Sequence, residues 1–123
     1  MTPAAAPQAP FRLPDQPVAL DVMAKYFRAF GDPTRLRIMQ LLGTAEMSVG
    51  ELVAATGQSQ PKISNHLSCL RWCGFVRSRR EHRCVYYTIA DARVLEMLEL
   101  ADALLEQNAD HVACCGVIDQ RSG

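Results

Sequence analysis

Between residues 18 and 30, apolar side chains return at helical spacing: Leu20, Met23, Ala24, Phe27 and Phe30 gather toward one face. The pattern predicts a first helix, which Gly31 ends. Asp32-Pro33 supplies a new start, an acidic N-cap followed by a proline whose missing amide proton costs nothing in a first turn. Leu36, Ile38, Met39, Leu41 and Leu42 carry the second helix, with Gly43 as its expected stop. Ser48-Val49-Gly50-Glu51 has the form of a capping box and opens a third helix to about Thr56. Across a turn at Gly57, a fourth helix runs from Ser59 or Gln60 to Cys73, with Pro61 in its first turn and Gly74 closing it.

The period then changes. Residues 75–79 and 84–89 are rich in strand formers and predict a β-hairpin tipped by residues 80–83. Asp91 caps a last helix to about Asn108, on which Val94, Leu95, Met97, Leu98, Leu100, Ala101, Leu104 and Leu105 cover more than one face. A helix apolar on two faces needs a second partner, most simply another copy of the chain. The expected fold is mainly α with a small β-hairpin: a dimeric winged helix-turn-helix of about five helices and a two-stranded wing. Residues 1–17, rich in Pro and Ala, read as a disordered tail. Residues 18–108 read as the DNA-binding and dimerisation domain, and 109–123 as a Cys-containing C-terminal tail.

Formal net charge is zero over the 123 residues, so the chain as a whole is not basic. The distribution is informative. Residues 59–87 carry Lys62, Arg71, Arg77, Arg79, Arg80 and Arg83 against Glu81 alone. A basic segment on an acidic body is the footprint of a phosphate-binding face. Nothing approaches the roughly 18 apolar residues of a membrane span, and the first residues lack a secretory pattern. A cytoplasmic protein is expected, in which the five cysteines stay reduced and serve metal binding or reactivity rather than stapling. No nucleophile–base set or phosphate loop suggests an enzyme.

Two helices joined by a glycine turn form a helix-turn-helix, whose second helix presents its N-terminal residues to base edges in the major groove of double-stranded operator DNA. Here these are Ser59, Gln60, Lys62, Ser64, Asn65 and His66, of which Gln and Asn can pair with adenine edges. Ile63, Leu67 and Leu70 must pack inward. The hairpin residues Arg79, Arg80, His82 and Arg83 suit phosphate or minor-groove contact. Trp72 reads as a surface or dimer-contact aromatic, and Cys84, within a strand, as a packing residue.

The stretch Phe30-Gly-Asp-Pro-Thr-Arg-Leu-Arg-Ile-Met-Gln-Leu-Leu, then Glu51-Leu, Ser59-Gln-Pro-Lys-Ile-Ser-Asn-His-Leu-Ser-Cys-Leu, Gly74-Phe-Val and Tyr86-Tyr-Thr-Ile resembles the ArsR/SmtB family of metalloregulatory repressors. The resemblance spans about residues 18–108. It implies a dimeric winged-helix repressor released from DNA by metal or another signal.

Family members differ in where the sensor lies. A site built on cysteines at the start of the third helix has no thiols here, because that position reads Met47-Ser-Val-Gly-Glu-Leu. A zinc site of Asp and His pairs on the last helix has Arg93 where a His is expected, which leaves His111 alone. The run Ser64-Asn-His-Leu-Ser-Cys-Leu-Arg-Trp-Cys-Gly resembles the cadmium- and lead-sensing branch, which adds a cysteine from the C-terminal tail. That resemblance nominates Cys69 and Cys73 with Cys114 or Cys115, from the same or the other subunit. At about 100° per residue, Cys69 and Cys73 flank the core direction on adjacent turns, on a seam with Lys62 and His66. Thiolates select soft ions, so the expected effector is Cd2+, Pb2+ or Hg2+, with arsenite also suited to three sulfurs. A thiol-based redox sensor is the competing reading, because Arg71 and Lys62 could acidify the thiols.

Overall fold

A computed structural model describes residues 17–118. The expected disordered segment 1–17 lies outside them, except for Pro17, which opens the first helix, as does the end of the C-terminal tail. The elements run α1 (Pro17–Arg28), α2 (Pro33–Thr44), β1 (Met47–Ser48), α3 (Val49–Thr56), α4 (Gln60–Trp72), β2 (Val76–Glu81), β3 (Cys84–Ile89) and α5 (Ala92–Ala113), with a further helical turn at 116–118. The wing is three-stranded, in the antiparallel order β1-β3-β2, rather than two-stranded. The added strand is two residues long, too short to show any periodicity in the sequence.

The local signals act as their chemistry requires. The Asp32 carboxylate accepts from the Arg35 amide and caps α2. Ser48 and Glu51 close both hydrogen bonds of the capping box at the start of α3. Gly57 ends α3 at φ +73°, and Gly74 follows α4 at φ +86°, left-handed conformations that favour glycine. Gly43, expected to stop α2, lies inside it. A Cβ there would come within 2.8 Å of Leu95 Cδ2, so its smallness serves the approach of α5. The last helix passes Asn108 and ends at Ala113, because no glycine or proline interrupts residues 109–113.

One core unites these pieces. Ile38, Met39 and Leu42 from α2, Leu52 from α3, Ile63, Leu67 and Leu70 from α4, and Phe75 and Val76 entering the wing are buried, with Val94 of α5 joining them. Tyr26 lies tilted over Phe75 and Phe30 meets it edge-on, each with ring centroids 4.7 Å apart, which fixes the end of α1 against the start of the wing. Beyond Leu98, α5 leaves this core. Leu100 and Leu104 are 64% and 70% exposed, and Phe27 of α1 is 51% exposed. Tyr26, Phe27, Gly74, Val94, Met97 and Leu104 are among the residues lining an apolar groove of about 620 Å³ between α1 and α5.

Candidate DNA-reading face and thiol site

The three buried residues of α4 fix which way the helix faces. With Ile63, Leu67 and Leu70 in the core, Asn65, Ser68 and Trp72 project outward, and Trp72 is 92% exposed. Ser59, Gln60, Lys62 and Asn65 are exposed at the N-terminal half, where sequence reasoning set the base-reading residues. Ser59 also works as the N-cap, its hydroxyl accepting from the Lys62 amide. Ser64 is half-buried.

His66 is turned elsewhere. Its ring packs against the α1–α2 junction, with Nε2 3.7 Å from Asp32 and Nδ1 3.4 Å from Arg35 Nη1. Arg35 also donates to the carbonyls of Ala29 and Arg28 at the end of α1. This departs from the base contact expected of His66. Its partners lie more than thirty residues away in sequence, and no local pattern announces them. Burial lowers the imidazole pKa from its ordinary value; Asp32 pulls it up, while Arg35 and Lys62 push it down.

On the wing, the turn is the pair His82–Arg83, with His82 at φ +58°. Arg80 and Arg83 are exposed. Arg79 is not at the tip. Its Nε and Nη2 donate to Glu46 at 2.6 Å each, its Nη1 donates to Glu81 at 3.1 Å, and its guanidinium lies 5.0 Å from the centre of the Tyr86 ring. Glu46 escaped sequence reasoning altogether, because an isolated acidic residue in a loop carries no signal. Cys84, expected to pack, is exposed as the first residue of β3.

Cys69 and Cys73 lie one helical turn apart at the C-terminal end of α4, Cys69 half-buried within the helix and Cys73 exposed as its C-cap. Partial burial pushes the Cys73 thiol above its ordinary pKa, and the neighbouring Cys69 thiol pushes the same way. Arg35 and Lys25 offset this only in part. The acidified thiol considered from sequence is therefore not what Cys73 offers. Cys114 is the C-cap of α5 and exposed, and Cys115 follows it half-buried. No group of three or more His, Cys, Asp and Glu residues is arranged to hold a metal ion among the described residues. At the start of α5, Arg93 closes onto the Asp91 carboxylate at 2.7 Å and holds its pKa at about 2. That carboxylate is committed to capping and to a guanidinium.

Residues 32–78 match the model of the bacterial regulatory protein arsR family. A probable mercury resistance operon repressor of Streptomyces lividans is 42% identical over 95 residues, 77% of this chain and 76% of the relative. The crystal structure of Mycobacterium tuberculosis Rv0081 superposes with a TM-score of 0.73 at 30% identity, over 81% of this chain and all of the other. The homodimeric winged helix-turn-helix DNA-binding domain of Mycobacterium bovis Mb0332 gives 0.69 at 31% identity, over 80% of this chain and 92% of the other. With its helix-turn-helix, its wing and these relatives, the chain belongs to the ArsR family of winged helix-turn-helix transcriptional regulators.

Proposed function

We propose that this regulator is a cytoplasmic, soft-metal-responsive repressor that binds operator DNA as a homodimer and releases it when Cd2+, Pb2+ or Hg2+ reaches Cys69 and Cys73. The observation that carries the reading is the pair of free thiols, Cys69 and Cys73, one turn apart at the end of the helix assigned to base reading. Likeness to a probable mercury resistance operon repressor supports the choice of effector class. A soft cation would supply a bridge between two thiolates that otherwise repel, and magnesium or calcium would gain little there.

The groove between α1 and α5 supports a dimer. Two apolar helical faces are exposed side by side, and a second copy would cover both. The third sulfur is then best supplied in trans. The α5 helix extends roughly 33 Å at about 1.5 Å per residue over its 22 residues. Its start borders the groove that Gly74, next to Cys73, also lines, together with Tyr26, Asp91 and Arg93. Packing α5 antiparallel against its copy brings the partner's C-terminal end, with Cys114 and Cys115, toward that start.

Sensing then follows from differential binding. A ligand weakens DNA binding only by preferring the shape DNA does not select, with a coupling of about 1–3 kcal/mol in typical cases. Tying α4 to a tail segment changes how its Gln60 end sits in a groove. The thiol-oxidation reading is disfavoured by the raised Cys73 pKa, because the thiolate is the reactive form. Titration of the reduced protein with Cd2+ or Hg2+, followed by sulfur-to-metal charge-transfer absorption, tests the site. A band that appears in the wild type and is lost in Cys69→Ser/Cys73→Ser supports it; a band unchanged in that variant moves the sensor elsewhere.

A further inference from the structure

The wing alternates. Val76, Ser78 and Arg80 share one face of β2, and Arg77, Arg79 and Glu81 share the other. Ser78 accepts from Arg71 Nη1 of α4 at 3.5 Å, so the Ser78 and Arg80 face is the one turned to the recognition helix. Arg79 points the other way, toward Glu46. All three of its nitrogens donate to carboxylates, and with two glutamates the cluster is net negative.

The register shows what this cluster holds. β1 pairs with β3 only at Tyr86 and Tyr87, and Arg79 lies opposite Tyr86. Beyond that rung, Arg80, Glu81, Cys84 and Val85 form a two-stranded ribbon with nothing from β1 beside it. Arg79 therefore sits at the fulcrum where the supported sheet ends and the free wing begins. Glu46, on the far side of the clamp, immediately precedes β1, and Ser48 of β1 is the N-cap of α3. We propose that Arg79 is a positioning residue rather than a DNA contact: with Glu46 it fixes the angle of the wing against the helix-turn-helix, so that Arg80 and Arg83 meet phosphates while α4 reads bases. The inference rests on the DNA-binding part of the proposed function and not on metal sensing.

A phosphate contact and a positioning clamp make opposite predictions at Glu46. If Arg79 bound phosphate, Glu46→Gln would free its charge and tighten DNA binding. As a positioning residue, it needs Glu46, so Glu46→Gln and Arg79→Ala should each weaken binding, by roughly three- to tenfold. The double variant should be no worse than the worse single one, because both remove one interaction. Salt dependence separates the roles further. Each lost phosphate contact lowers the slope of log affinity against log salt by about 0.9. The slope should stay unchanged in Arg79→Ala and fall in Arg80→Ala. An exposed ion pair contributes little to folding, so all variants should unfold cooperatively near the wild-type midpoint.

The probe is a fluorescein-labelled duplex selected by the metal-free wild-type protein from a random-sequence pool, titrated by anisotropy at several salt concentrations. Weakening by both single changes at constant slope is the expected result. Tighter binding by Glu46→Gln, a slope reduced in Arg79→Ala, or no effect of either would overturn the proposal. Failure of the wild type to select any duplex would remove the DNA-binding reading, and the proposal with it.

Discussion

The imidazole of His66 lies with its buried Nε2 3.7 Å from the carboxylate of Asp32, beyond hydrogen-bond reach, and this sets α4 beside the N-cap of α2. Arg35 only donates, so His66 Nδ1 accepts and the ring proton sits on Nε2, facing Asp32. Arg35 meanwhile holds the last carbonyls of α1. The orientation of α4 is thus tied through three side chains to the end of α1, the helix that borders the apolar groove with α5.

The neutral imidazole has a consequence for pH. Protonation at Nδ1 would break the hydrogen bond from Arg35 and set two cations together inside a partly buried site. Because the folded-state pKa is lowered, the unfolded chain binds more protons as pH falls below the ordinary imidazole value of about 6.5. Stability from this residue is complete above that value and is lost as pH falls through the lowered pKa. Urea unfolding midpoints compared between about pH 7.5 and 5.5 should drop more in the wild type than in His66→Gln. Equal drops would remove His66 from the pH dependence.

A raised thiol pKa makes metal binding compete with protons. Cys73 must lose its proton to become a ligand, so affinity for Cd2+ should rise with pH, by up to about tenfold per unit for each thiol proton displaced. Titrations against a competing chelator at pH values of about 6 and 8 check this, and a pH-independent affinity would argue that the cation is held by other groups.

The dimer reading predicts that Leu100→Glu with Leu104→Glu weakens association by roughly a hundredfold or more, since each buried leucine stabilises by about 1.5–3 kcal/mol and every change occurs twice. Both side chains are exposed in the single chain, so the helix itself should survive. Sedimentation of the variant as a dimer at micromolar concentration would contradict the assignment of this face.

Base reading and phosphate contact should separate on different elements. Gln60→Ala should relax preference at particular positions, at about 1–3 kcal/mol for a lost bidentate contact. Arg80→Ala and Arg83→Ala should weaken binding to all duplexes alike and flatten the salt dependence. Competition between the selected duplex and a scrambled one, for each variant, distinguishes the two effects; unchanged preference in Gln60→Ala would take base reading away from that residue.

What was legible in the sequence is what neighbours decide. The Ser48 and Glu51 capping box, the Asp32 cap, the glycines after α3 and α4, and the inward stripe of Ile63, Leu67 and Leu70 all follow from spacings of a few residues. So does the pairing of Cys69 with Cys73. What the sequence did not show shares one cause. His66 meets Asp32, Arg79 meets Glu46 and Gly43 meets Leu95 across more than thirty residues each, and periodicity carries no record of such contacts. The tail cysteines illustrate the same limit: among the described residues they form no group of three or more candidate ligands with the α4 pair, and no local spacing says which subunit would supply them.

The most direct test of metal-controlled release is an operator-binding titration under reducing conditions, with and without Cd2+, Pb2+ or Hg2+, on the wild type, Cys69→Ser, Cys73→Ser, a Cys114/Cys115 double serine variant and Cys84→Ser. Wild type and Cys84→Ser should let go of the selected duplex when metal is added. The two helix variants and the tail double variant should bind the duplex as dimers and keep it. Normal metal-induced release from both Cys69→Ser and Cys73→Ser would contradict the account.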